Sequence, residues 1–500
     1  HTYIHTYIHT YIHTYIKNRF LFEVKSKLKS LRKHRFHQRR NTLDDNDVKS
    51  YLAYFHSKFV ITPTDKACNN FSIICKKFYI ACLLKELCIL ENNENVNSST
   101  YNRVEKNMKD VVKNHVIYMK KYNIPLNLDQ KKLPFIYWIP KMHKNPSKQR
   151  YIAASHSCST KPLSKMITFC LKLIQSTHSN YCQKISKTKG FNRMWIVDNS
   201  MKVLENISKI NEKTIKNIRT YDFSTLYTSI PHKKLKDRIA LVIKECFNKS
   251  GRQYIHIGKT EACWSRSRSN NKISWDDKDL IQYIRYFIDN IYVVCGDTIF
   301  RQIIGIPMGT DCAPFLANLF LYSYECEWMD KMHKENKTDF LKKFDFCSRY
   351  IDDLLCINND ELMDKVMTDI YPSELSLTSD NAIMKSNYLD LSLEIRNNKI
   401  HTSLFDKRDA FNFTIVNFPN LSGNIPEKQS YGVFTSQLIR YARCCQDFKD
   451  FRERTLTLVD RLVHQHFSID QLRRTFMKFS ECHYELLDKY DIKEVCEHCF

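Results

Sequence analysis

Apolar residues recur at helical spacing over much of the chain. Between those stretches lie short runs whose alternation or β-branched character suits strands. The pattern predicts helices over residues 100–122, 161–176, 200–209, 232–247 and 276–290; in the fourth, Leu235, Ile239, Val242 and Phe247 fall near the 3.6-residue period. Strands are predicted over 220–223, 292–295, 348–357 and 389–395, with a linker at 123–132 and ordered structure expected from about Phe59. From Gln429 onward the pattern is helical to the end. Mixed strands and helices followed by a helical tail predict an α+β core with a helical appendage.

Composition sharpens this picture. The chain has 500 residues, 43% hydrophobic, with 30 Phe and 28 Tyr, so it can bury a sizeable core divided among several subdomains. Lys and Arg total 78 against 54 Asp and Glu, a net charge of +24, and a surplus of that size suits a polyanion, most commonly nucleic acid. The most apolar stretch, 71–90, is broken by Lys76, Lys77, Lys85 and Glu86, so no membrane span is expected. Nineteen cysteines, an odd number without repeated spacing, point to reduced thiols in cytosol or nucleus. Residues 1–16 are four copies of His-Thr-Tyr-Ile, set aside as low-complexity sequence. Residues 17–40 carry ten basic residues against Glu23 and read either as a solvated basic helix or as a backbone-binding or nuclear-targeting arm.

Three stretches hold candidate chemistry. In Tyr350-Ile351-Asp352-Asp353, two adjacent acids interrupt an apolar strand pattern, as at the tip of a tight β-hairpin. They form either an exposed turn or a pair of carboxylates that needs a cation, and a hard ion such as Mg2+, preferring oxygen ligands, would supply one. Asp222 ends a predicted strand just before a helix opened by Pro231. It is either a loop acid or a third carboxylate, enough for two metal ions in a phosphoryl transfer. Between the two acid sites, Gln302 to Pro314 forms a glycine loop containing Gly305, Pro307 and Gly309 and leading into an apolar helix at 315–324. Gly251 and Gly258-Lys259-Thr260 do not make a phosphate loop, because six residues separate the glycines and no strand precedes them.

The order of these three elements resembles motifs A, B and C of the reverse-transcriptase palm, and the wider match resembles the Penelope-like retroelement reverse transcriptases. That match includes Thr64-Asp65-Lys66-Ala67-Cys68-Asn69-Asn70, Tyr137-Trp138-Ile139-Pro140-Lys141-Met142-His143-Lys144 and Arg150-Tyr151-Ile152. It continues through Phe405-Asp406-Lys407-Arg408-Asp409-Ala410-Phe411-Asn412-Phe413 and Gln437-Leu438-Ile439-Arg440-Tyr441-Ala442-Arg443, covering about residues 60–480 in the family's order.

The resemblance implies a right-hand polymerase: a basic arm at 17–58, fingers at 59–198, a palm at 199–415 and a helical thumb at 416–500. It implies an RNA-directed DNA polymerase of a retroelement, using two Mg2+ ions (Mn2+ as the substitute) held by Asp222, Asp352 and Asp353. Lys66, Lys141 and Arg150 would face the incoming triphosphate, Arg150 with its paired donors. Tyr227 would lie beneath the sugar and exclude a 2′-hydroxyl, separating this reading from an RNA-dependent RNA polymerase. Gln302, Gly305 and Pro307 would support the template nucleotide and its partner, Phe405 the primer end, and Arg440 and Arg443 the duplex backbone. The expected partners are an RNA template, a DNA primer or target DNA, and deoxynucleoside triphosphates; the expected location is nuclear or cytoplasmic. The alternative is a catalytically silent nucleic-acid-binding protein derived from such an element.

Two departures accompany the match. Many relatives carry a C-terminal GIY-YIG nuclease that these 500 residues do not show, so cleavage of target DNA is not expected. Cys482-His483 and Cys496-Glu497-His498-Cys499 have the residue types of a zinc site but read more simply as helix.

Overall fold

In the computed structural model of the chain, the described residues are 18–19, 21–26, 44–87, 100–126, 131–144, 148–210, 215–380, 383–413 and 415–500. The four-residue repeat and most of the basic segment at 17–40 lie outside them. The chain divides into two compact units, 1–60 and 61–500. In the first, the helix Asp45–Lys58 has Asp45 and Asp47 in its first turn and His56 and Lys58 in its last, charges that complement the helix dipole. Order therefore begins before Phe59: Val48, Tyr51, Leu52 and Phe55 already form a helical stripe.

The second unit is α+β. Its central antiparallel sheet runs in the order Cys347–Tyr350, Asp353–Ile357, Ile218–Ser224, Ser376–Ser379. The uninterrupted apolar run after Asp353 is explained by burial on both faces. Leu354 and Cys356 join a core with Tyr221 and Phe223 under the helices Lys161–Lys189, His232–Ser250 and Ala313–Lys334. Leu355 and Ile357 face the other way, into a core shared with Ile218, the strands Leu391–Arg396 and Lys399–Leu404, and the C-terminal helices. Those helices, Gly432–Cys444, Phe448–Val463, Ile469–Cys482 and Ile492–Cys499, pack through Phe434, Leu438, Phe451, Leu458, Leu472 and Phe476.

Several predicted elements change. The helix expected from residue 100 begins at Met108, capped by the Asn107 side chain. Tyr101–Val104 instead pairs with Thr298–Gln302, a partner some two hundred residues away that local pattern cannot reveal. The helix expected to stop at 176 runs to Lys189 and ends at Gly190 in a left-handed conformation (φ 77°), because His178 and Cys182 carry its buried stripe onward. The strand-like run at 348–357 is a tight hairpin of two strands with the acids at its tip, as its interrupted pattern predicts. Gly258 lies in the turn between the antiparallel strands Tyr254–Ile257 and Ala262–Ser265, its N–H donating to the Glu261 carbonyl at 2.8 Å, so no phosphate loop exists there. Ile136–Lys141 pairs with Lys148–Ala153, bringing the basic residues of both strands together. Among the described residues the cysteines are free thiols, and no helix is long and apolar enough to cross a membrane.

Candidate active site

The hairpin Cys347–Tyr350/Asp353–Ile357 pairs Tyr350 with Asp353, leaving Ile351 and Asp352 as a two-residue turn. On its other side Asp353 sits directly opposite Asp222 in the antiparallel ladder, so these two side chains share a face. The Phe223 N–H donates to the Asp352 carbonyl at 3.0 Å, and the Thr378 hydroxyl donates to the Asp222 carbonyl at 3.2 Å. The Tyr388 hydroxyl donates to the Ser348 carbonyl at 2.9 Å and the Asp353 carbonyl at 3.2 Å, bracing the hairpin from beneath. Ile351 has φ 55°, a left-handed conformation that a β-branched residue adopts only when its surroundings impose it.

Electrostatics set this cluster apart. Burial raises the pKa of Asp352, and the Asp222 charge adds to the rise. Burial, then the Asp352 charge, pushes Asp353 up to about 6. Arg150 and Lys407 oppose the shift at Asp352, and Lys407 and Lys66 oppose it at Asp353. Lys141 lies within the field of Asp222; burial and then Arg150 lower its pKa. Cations from three separate segments thus face the acid cluster, in which burial and repulsion between neighbouring carboxylates raise Asp352 and Asp353. An oxygen-rich, anionic donor set of this kind fits a hard divalent ion. The three aspartates stand wider apart than the 4.8 Å within which His401, Asp447 and Asp450 gather their ligand atoms. In that second group Arg396 already pairs with Asp447 at 2.9 Å, and the His401 Nε2 lies 3.0 Å from the same carboxylate.

The glycine loop is clamped to both neighbours of the site. The Gly305 N–H donates to the Ile230 carbonyl and the Ile306 N–H to the Tyr227 carbonyl, both at 2.7 Å. At φ 86°, a Cβ on Gly305 would lie 2.3 Å from the Tyr227 oxygen; at φ 114°, one on Gly309 would lie 2.3 Å from the Ala153 oxygen. The Ala153 N–H in turn donates to the Met308 carbonyl at 2.9 Å, and the Ser155 hydroxyl donates to the Gly309 carbonyl. Gln302 is 1% exposed and its Nε2 donates to the Ile304 carbonyl at 3.0 Å, so it shapes the loop from inside. Gly305 and Pro307 are buried as well, and the exposed backbone of the loop is at Gly309.

The remaining candidates divide. Tyr227 is half-buried beside Asp352, with burial and then that charge raising its phenol pKa. Arg150 pairs with buried Asp65 at 3.4 Å on the strand next to Lys141. Lys66, exposed at φ 66°, stands in the tight turn of the hairpin Phe59–Thr64/Ala67–Cys75. Phe405 is half-buried, its N–H donating to the Asp390 carbonyl at 2.9 Å. Arg440 pairs with Asp390 at 2.8 Å, committing its guanidinium to the sheet, whereas Arg443 is exposed on the same helix. Sequence reasoning passed over Lys407, Asp65 and Arg349; Lys407 lay within a motif already singled out, but only the fold brings it near the acids. The stretch 482–499 is largely helical, falling in Ile469–Cys482, Tyr484–Leu487 and Ile492–Cys499, as its helical reading expects.

A palm-like sheet with acids on its hairpin and central strand, a glycine loop between them and a helical C-terminal portion constitute an α+β right-hand polymerase fold, read from the chain's own geometry. No protein-family model and no curated protein matches the sequence. Among solved structures the chain is similar to telomerase from Candida albicans with the TWJ fragment of telomeric RNA, at TM-score 0.48 and 12% identity over 91% of this chain and 78% of that one. It is similar to apo telomerase from Candida tropicalis at TM-score 0.45 and 12% identity, over 88% and 72%. It is also similar to the RNA-dependent RNA polymerase of a human picobirnavirus, at 0.43 and 10%, over 96% and 87%.

Proposed function

We propose that the chain is an RNA-directed DNA polymerase of a Penelope-like retroelement, with fingers at 59–198, palm at 199–415, thumb at 416–500 and a nuclear or cytoplasmic place of work. The observation that carries this is Asp222 opposite Asp353, with Asp352 in the adjoining turn and a partial ring of cations around all three. Asp222, Asp352 and Asp353 would hold two Mg2+ ions, which when bound stabilise negative charge on the attacking and leaving oxygens. Lys66, Lys141, Arg150 and Lys407 neutralise the triphosphate of an incoming nucleotide. The primer 3′-hydroxyl, steadied by the Phe405 segment, attacks the α-phosphorus; the bond to the β-phosphate breaks and pyrophosphate leaves. The ring of Tyr227, beside Asp352, occupies the space a ribose 2′-hydroxyl would need. The exposed backbone at Gly309 approaches the template pair, and Arg443 follows the duplex backbone.

Primer extension on RNA and DNA templates, with deoxy- and ribonucleotides, tests the proposal. Extension should prefer deoxynucleotides and fall by several orders of magnitude in Asp352→Asn. Ribonucleotide preference would favour an RNA polymerase instead, and nucleic-acid binding without extension would favour the catalytically silent alternative.

A further inference from the structure

Arg349 and Glu325 are fully buried, both at 0% exposure, and the mechanism above uses neither. The Arg349 Nε donates to Glu325 Oε1 at 2.5 Å and Nη2 to Oε2 at 3.1 Å. Nη1 donates to Asn318 Oδ1 and to the Ile351 carbonyl, each at 3.0 Å, and Nη2 also donates to the Asn318 carbonyl at 3.1 Å. All of the guanidinium's donors are thereby used. The Tyr371 hydroxyl donates to Glu325 Oε1 at 2.9 Å, satisfying the carboxylate from a further segment.

A buried ion pair is a poor way to gain stability, since apolar residues of similar volume usually serve as well. What apolar residues cannot do is hold a carbonyl. The carbonyl held here belongs to Ile351, the strained turn residue immediately before Asp352. Asn318 and Glu325 both lie on the Ala313–Lys334 helix into which the glycine loop leads, so one side chain joins that helix to the acid-bearing turn.

We propose that Arg349 is a positioning residue: by tying the Ile351 carbonyl to the Ala313–Lys334 helix it fixes where the Asp352 carboxylate stands relative to Asp222 and Asp353. The inference rests on the polymerase reading of that site. The Arg349→Met/Glu325→Gln double variant tests it, because it removes both buried charges while leaving Tyr371 an acceptor. It is compared with Arg349→Lys, which keeps a charge but cannot span all three partners. For the double variant, kcat should fall at least about a hundredfold with KM for deoxynucleotide moving less than about threefold, and the Mg2+ concentration for half-maximal rate should rise; Arg349→Lys should recover about tenfold of the loss. A folded double variant with kcat within about threefold of the parent overturns the proposal, since a merely structural role would lower stability and leave turnover of the folded fraction intact. Should the double variant not fold, Arg349→Lys decides alone: reduced kcat at constant KM supports the proposal and unchanged kcat overturns it. If the parent extends no primer, the polymerase reading fails. Hydrogen exchange then decides the role of Arg349. Faster exchange confined to the peptide containing 350–353 of the variant supports it, and unchanged exchange overturns it.

Discussion

Under the proposed function, Asp353 would serve chemistry at the expense of stability. Its carboxyl titrates near 6 in the folded chain, raised by burial and by Asp352, against about 3.9 for an unfolded chain. Between those values the folded state binds the extra proton, so this group's contribution to stability declines as pH rises from about 4 through about 6. Taken alone, the loss at neutral pH is on the order of 1–3 kcal/mol. A divalent ion held by the ionised carboxylates, as proposed, would offset it, and less so where the proton still competes. The Mg2+-induced rise in thermal midpoint should therefore be larger at pH 7.5 than at pH 5 by scanning fluorimetry. Asp353→Asn should raise the metal-free midpoint at pH 7.5 while abolishing extension. A metal-free midpoint lowered by that substitution would contradict the assignment of repulsion at this carboxylate.

The glycine loop places a second prediction at the scale of the element. Gly305→Ala forces a Cβ against the Tyr227 carbonyl in a left-handed conformation, and is expected to cost about 2–4 kcal/mol in urea unfolding along with most activity. Gly432→Ala, with no atom near its Cβ at the start of a helix, should change stability by less than about 1 kcal/mol. Such elements were legible in the sequence where the pattern is local. The strand at 292–295 appears within its predicted bounds, that at 220–223 lies inside Ile218–Ser224, and the helix at 232–247 needs only three more residues. The acids stood out because they break an apolar run. Pairings between distant segments were not legible. Tyr101–Val104 is a strand because of Thr298–Gln302, and the polar Ser376–Ser379 because of Ile218–Ser224. Arg349 gave no signal either, since its partners Asn318 and Glu325 lie 31 and 24 residues away.

Across the whole molecule the net charge of +24 predicts how nucleic acid is held. With about six phosphates neutralised, affinity for an RNA–DNA duplex should fall roughly a thousandfold between about 50 and 200 mM salt, as followed by fluorescence anisotropy. A nearly flat salt response would remove the electrostatic account of binding. Asp352→Asn should leave that slope unchanged, because the acids do not contact the duplex backbone in this account. The same acids have a part to play before any substrate arrives. Asp353–Ile357 is apolar towards both cores, so shifting its alignment by one position would cost little in greasy surface yet would turn Asp353 inward. An acid at 353 would therefore weigh against such a slip. Apolar replacement of that acid is expected to loosen the choice between the two alignments.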